Sequence, residues 1–186
     1  RMNLPGLVRT TFTDPASAAR QILSLRLPRR ALALGLAFVV VASTILTYLQ
    51  GLILGLDGGM MPFARSPLVL AMAQGGMLLL VVHAVHRVGA GLGGHGDFEG
   101  ALAAVTWVEF VLLLVQLAQT VLLLVIPPVG GIVGMASIVV FLWLLTVFTA
   151  ELHGFASRWR VFLGIVLTGG AMLLAMSFVL GLVLRF

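Results

Sequence analysis

Five apolar runs, at 31–56, 68–88, 101–126, 129–150 and 161–184, dominate the chain, and the short stretches between and before them hold nearly all of its charge. A helix needs about 20 predominantly apolar residues to cross a hydrocarbon core of roughly 30 Å, so each run supplies one crossing. The pattern is clearest from Phe110 to Ala150, where no Asp, Glu, Lys, Arg or His occurs. Near the middle of that stretch sit Pro127, Pro128, Gly130 and Gly131, which predict a tight exposed turn at 127–131 between two antiparallel spans. The pattern reads as an all-α integral membrane protein with five transmembrane helices.

Residues 1–30 are too polar to cross and too patterned for a free tail. Asp14 and Pro15 form a helix start, the carboxylate capping free amides and proline suiting the first helical position. Ala18, Ile22, Leu23 and Leu25 then alternate with Arg20, Gln21, Ser24 and Arg26, an amphipathic pattern expected to lie along a membrane surface. A preceding segment at 4–12 offers Leu7, Val8 and Phe12 to lipid and Arg9 to headgroups, and Pro28 breaks the path before the first span. No long apolar core precedes a small-residue cleavage site, which argues against a signal peptide. The expected organisation is an interfacial segment at 1–30 and a five-span domain at 31–186.

Composition removes the soluble alternatives. The chain is 61% hydrophobic and 9% charged, against roughly 25% charged in soluble domains, and its mean hydropathy is +1.18. The net charge of +5 is carried by arginines at the ends of apolar runs, with no basic stripe to follow a nucleic acid. Arg9, Arg20, Arg26, Arg29, Arg30, Arg87, Arg158 and Arg160 fall on one side of an alternating five-span topology. Arg65 and Arg185 fall on the other, with Arg1, which precedes Met2, left out of the count. The positive-inside rule then predicts a cytoplasmic N-terminus and an outside C-terminus, with 57–66 and 127–131 also outside. Trp107, Trp143 and Trp159 are expected in or near the spans. Without cysteine there is no disulfide, thiol chemistry or thiolate metal site.

The loop Gly91-Leu92-Gly93-Gly94-His95-Gly96-Asp97-Phe98-Glu99-Gly100, followed by Ala101-Leu102-Ala103-Ala104-Val105, resembles the glycine-rich loop and helix start of Yip-domain proteins, the Ypt- or Rab-interacting family. Five spans behind a cytoplasmic N-terminus, and the polar turn from Glu151 to Arg160, are similar to that family as well. The Asp-Pro pair and Ala18-Ala19-Arg20 resemble its bacterial members in particular. The resemblance implies a multi-pass bacterial inner-membrane protein, with a periplasmic C-terminus, that works by binding partners, which in eukaryotes are small GTPases of vesicle traffic. The long N-terminal region through which eukaryotic relatives engage partners is largely missing here, so small-GTPase binding is not expected.

The residues themselves offer several sites. Gly93, Gly94, Gly96 and Asp97 form a reversal and a helix cap; a phosphate cradle is the sharper alternative, but the Lys-Ser/Thr of a nucleotide loop is absent. Thr106, Glu109, Gln116 and Thr120 share a broad face of the third span, with Gln119 beside it. A mid-span carboxyl costs on the order of 2.5–3.5 kcal/mol to insert, which favours an inward stripe, either as a relay or as interhelical hydrogen bonds. His83, His86, Glu151 and His153 belong at similar depth and could hold a divalent metal as cofactor. Asp97 and Glu99 would join them, or pair with Arg87 and Arg158.

Gly164, Thr168, Ala171 and Ala175 on the last span, and Ala71 and Gly75 on the second, are small-residue faces for helix packing, against each other or another chain. The expected function is a non-enzymatic scaffold or accessory subunit acting through lipid, a membrane-protein partner or its own copies. The alternative is a small proton- or cation-coupled transporter or channel using Glu109 and the His/Glu group. A lipid-directed enzyme would need the metal.

Overall fold

The computed structural model describes residues 3–55 and 66–183. Among them all regular structure is α-helical: α1 (Leu4–Thr13), α2 (Pro15–Ser24), α3 (Arg29–Ile53), α4 (Pro67–Gly91), α5 (Phe98–Val125), α6 (Pro127–His153) and α7 (Arg158–Val183). The helices α3 to α7 have 25–28 residues each and are apolar enough to cross a membrane. At ~1.5 Å per residue they reach roughly 38–42 Å, so their ends extend beyond a hydrocarbon core. Arg1, Arg65, Arg185, Gly58 and Gly59 and most of the expected 57–66 loop lie outside the described residues.

Local chemistry sets the helix ends. Asn3, Asp14, Ser66 and Asp97 each accept a backbone N–H of the first turn, with Pro5, Pro15 and Pro67 at the first positions of α1, α2 and α4. Gly154, left-handed at φ 72°, ends α6 and lets the Phe155 N–H return to the Ala150 carbonyl at 2.9 Å.

The expected exposed turn at 127–131 is not a loop. Ile126 ends α5 and caps α6 at once, and Pro127 and Pro128 occupy the first positions of α6, where a missing N–H costs nothing. Gly130 is buried in that first turn, where an added Cβ would lie 2.7 Å from the Leu123 nitrogen, so only glycine lets α5 and α6 meet this closely.

Packing is uneven along the bundle. α5 lies at the centre, against α3, α4 and α6, with α2 across its start. The tightest core, formed by Val82, Val105, Val108, Val111, Leu144 and Phe148, lies in the half nearest α1 and α2. α1 and α2 belong to this core. Leu7, Ala18, Ala19 and Ile22 are buried in it and Val8 packs against it, so Leu7 and Val8 do not face lipid as the pattern suggested; Phe12 is exposed. Trp107 is interior too, its indole N–H donating to the Thr11 hydroxyl at 3.0 Å, whereas Trp143 and Trp159 are exposed. Among the described residues α7 packs chiefly against α6, and more lightly against α4.

Candidate functional site

At the end capped by α1 and α2, the glycine loop closes over one histidine. His153 is 2% exposed. Its Nε2 lies 3.0 Å from the Val85 carbonyl and its Nδ1 accepts the Gly96 N–H at 3.1 Å. A carbonyl only accepts and an amide N–H only donates, so these partners select the neutral ring with its proton on Nε2. Gly89 and Gly94 lie against the ring so closely that a Cβ on either would overlap it, and one on Gly96 would come within 2.9 Å of Cε1. Gly93, at φ 88°, closes α4 as the Gly94 N–H returns to the Gly89 carbonyl at 2.9 Å. The loop is therefore a lid on His153. Asp97 caps α5 through the Gly100 N–H at 2.8 Å.

The expected metal quartet does not converge. Both ring nitrogens of His153 are committed to backbone, and Glu151 pairs with Arg20 at 3.0 Å and Arg158 at 3.7 Å. His83 turns its Nδ1 to the Leu79 carbonyl at 2.9 Å, and both His83 and His86 stand against the Phe98 ring. Among the described residues no three carboxylate or imidazole groups are placed to share an ion. Glu99 pairs with Arg29, not with Arg87 or Arg158.

The polar stripe of α5 opens onto a chamber of about 330 Å³ between α3, α4, α5 and α6. Ser43, Gln74, Glu109, Gln116, Gln119 and Ser137 supply its polar wall, and Leu112, Leu113, Ile138 and Phe141 its apolar wall. The stripe divides its work. Gln116 donates to the Thr47 hydroxyl at 3.0 Å and to the Ser43 carbonyl at 3.4 Å, tying α5 to α3. Thr120 donates to the Gln116 carbonyl at 2.8 Å and accepts the Gln50 amide at 2.9 Å. Gln119 lies on Gly134 of α6, where a Cβ would displace its amide. The Thr106 methyl faces Gly35 of α3, and its buried hydroxyl has no partner. Glu109, half-buried, makes no hydrogen bond or ion pair among the described residues.

Sequence reasoning missed the other half of this network. Gln74 of α4 donates to the Ser43 hydroxyl at 2.6 Å and accepts from Thr44 at 3.1 Å. Ser43, Thr47 and Gln50, spaced i, i+4, i+7, were the available signal on the first span. None of the residues of the His/Glu group lines the chamber, and no hydrogen bond joins Glu109 to Ser43 or Ser137 as a base to a nucleophile.

A second opening, an apolar groove of about 500 Å³, runs between α4, α6 and α7. Gly164 and Thr168 line it, while Ala171 and Ala175 point outward. Gly75 meets Val40 of α3, with 3.7 Å from its Cβ position to the valine methyl, so the two small-residue faces do not meet each other.

No curated protein and no solved structure matches this sequence. The model of the Yip1 domain matches residues 9–179, which takes in all of α2 to α6, half of α1 and most of α7. The chain belongs to the Yip1 domain family, as a multi-pass membrane protein of all-helical fold.

Proposed function

We propose that this protein is a non-enzymatic membrane scaffold or accessory subunit, and that the α4–α6–α7 face receives a transmembrane helix of a partner. One observation carries the reading: α7 stands off from the bundle and leaves the apolar groove, with Gly169 and Gly170 on its wall having nothing within 4 Å of their Cβ positions. Small residues let helix backbones approach, and association in lipid depends on such packing rather than on a hydrophobic drive. Among the described residues no other helix reaches the Cβ positions of these glycines. The arginine distribution supports a cytoplasmic position for the end carrying α1 and α2, with the groove opening into the bilayer. A bacterial inner membrane is the location the reading assumes.

The test is site-specific photocrosslinking in membranes of the source cell. A benzophenone side chain at Leu173, on the groove wall, is compared with one at Val139, exposed on α6 and outside the groove. A discrete protein adduct at Leu173 and none at Val139 is the expected result. Equal labelling at both positions, or lipid adducts alone, overturns the proposal.

A further inference from the structure

We propose that the Glu109 chamber is a binding site for a small organic monocation, an alkylammonium with a short carbon body. The wall carries many acceptors and few free donors. Gln116 spends both amide hydrogens on α3 and Gln74 one of its two, and the Ser43 and Ser137 hydroxyls donate into their own helices, at 2.6 Å to Val39 and 2.7 Å to Gly134, which leaves the second Gln74 N–H and the Gln119 amide as the free donors among the described side chains of the wall. Both Glu109 carboxylate oxygens remain, with the side-chain amide oxygens (Oε1) of Gln116 and Gln119, as acceptors without a donor among the described residues. An ionised carboxylate accepts only, and at this depth it keeps its charge beside a positive or hydrogen-bearing partner and otherwise takes up a proton. None of the described arginines lines the chamber.

Size and wall chemistry select the class of cation. At ~30 Å³ per water, 330 Å³ is room for about ten waters, more than a bare ion fills. A hard divalent ion would want six or more converging oxygens, and here one carboxylate faces neutral amides. An ammonium needs only three acceptors for its N–H groups. Leu112, Leu113 and Ile138 accommodate its carbon body, and Phe141 adds an aromatic ring to the same wall. Glu109 lies about 16 Å along α5 from Phe98 at ~1.5 Å per residue, so a bound cation would be held well inside the membrane.

The experiment uses the purified full chain in mild detergent, titrated with n-butylammonium chloride against matched sodium and potassium chloride, by calorimetry and thermal unfolding. Saturable n-butylammonium binding with a rise in Tm is expected, and Glu109→Gln should weaken it roughly tenfold or more, as loss of a charged hydrogen-bond partner does. Glu99→Gln, outside the chamber, should bind as the parent does. Gln119→Leu removes one acceptor and should weaken binding several-fold, which keeps the test decisive if Glu109→Gln does not fold. No n-butylammonium binding to the parent overturns the proposal, as do equal responses to sodium or potassium, or a response that follows pH alone. Undiminished binding by Glu109→Gln and Gln119→Leu overturns it as well.

Discussion

Replacing Gly89 by alanine tests whether the glycines of the α4–α5 turn exist to seat His153. In an ordinary helix the change is favourable by up to ~1 kcal/mol, because alanine loses less backbone freedom. Here the new methyl would lie inside the imidazole, and the ring has nowhere to go. It is 2% exposed, bonded to Val85 on one side and Gly96 on the other, and stacked on Phe155 with centroids 5.5 Å apart. Overpacking a tight interior costs about 1–3 kcal/mol, and the displaced ring forfeits two buried hydrogen bonds at about 1 kcal/mol each. Set against the helix gain, the net loss is about 2–4 kcal/mol.

Gly76, on the same helix with nothing within 4 Å of its Cβ position, is the control. Equilibrium unfolding in SDS, followed by tryptophan fluorescence, should show Gly89→Ala destabilised and Gly76→Ala at or above the parent. The cause is isolated by a cycle with His153→Ala. Once the ring is gone the methyl at 89 fills vacated space, so its cost should shrink by more than ~1 kcal/mol. A Gly89→Ala protein as stable as Gly76→Ala, or a cost unchanged by removing the imidazole, would refute the reasoning.

Other substitutions probe the remaining contacts. Trp107→Phe removes the donor to the buried Thr11 hydroxyl; it should cost about 1 kcal/mol and raise hydrogen exchange in α1, and unchanged exchange there would argue against that anchor. Glu151→Gln breaks pairs to arginines whose side chains are 56% and 59% exposed, so it should cost only about 0.2–1 kcal/mol, and the loss should vanish at high salt. Gln116→Leu unties α5 from Thr47 and should cost about 0.6 kcal/mol, at most ~1.7, by the same SDS unfolding. Hydrogen bonds from Ser17 hold the Asp14 carboxyl below its ordinary value. Protection of the first α2 amides should therefore be full above about pH 4 and lost as the pH falls further through the depressed folded value. Asp14→Asn should flatten that profile in hydrogen exchange.

The five spans were legible because lipid demands long uninterrupted apolar runs, and nothing else in a sequence imitates them. The caps at Asp14 and Asp97 were legible for the same kind of reason, since their chemistry is local. What failed was long-range. Leu7 and Val8 looked lipid-facing because an amphipathic pattern names an apolar face without naming its partner, and the partner is the core that α1 enters beside α2 and, through Thr11, α5. The Pro-Pro pair at 127 and 128 breaks a helix and equally begins one, and only the Gly130 to Leu123 approach selects the second role. His153 resembled a ligand because a sequence cannot tell that its nitrogens are spent on Val85 and Gly96. The chamber was half visible: Glu109 stood out by its charge, while its neighbours on α3 and α4 were ordinary serine, threonine and glutamine until the helices were brought together.

The chamber and the groove share a wall one side chain thick. Ile138 and Phe141 of α6 line both, so whatever fills one space presses on residues that shape the other. Interiors transmit displacement because they are close-packed. A Phe141→Ala protein therefore reports on both spaces and assigns an effect to neither. Leu142 lines the groove alone and Gln119 the chamber alone. If helix docking and cation binding are independent, Leu142→Ala should alter only crosslinking at Leu173, and Gln119→Leu only n-butylammonium binding. An effect of either variant on the other readout would mean that the α6 wall moves, and the two spaces would then have to be treated as one linked equilibrium, with the same coupling measured from both sides.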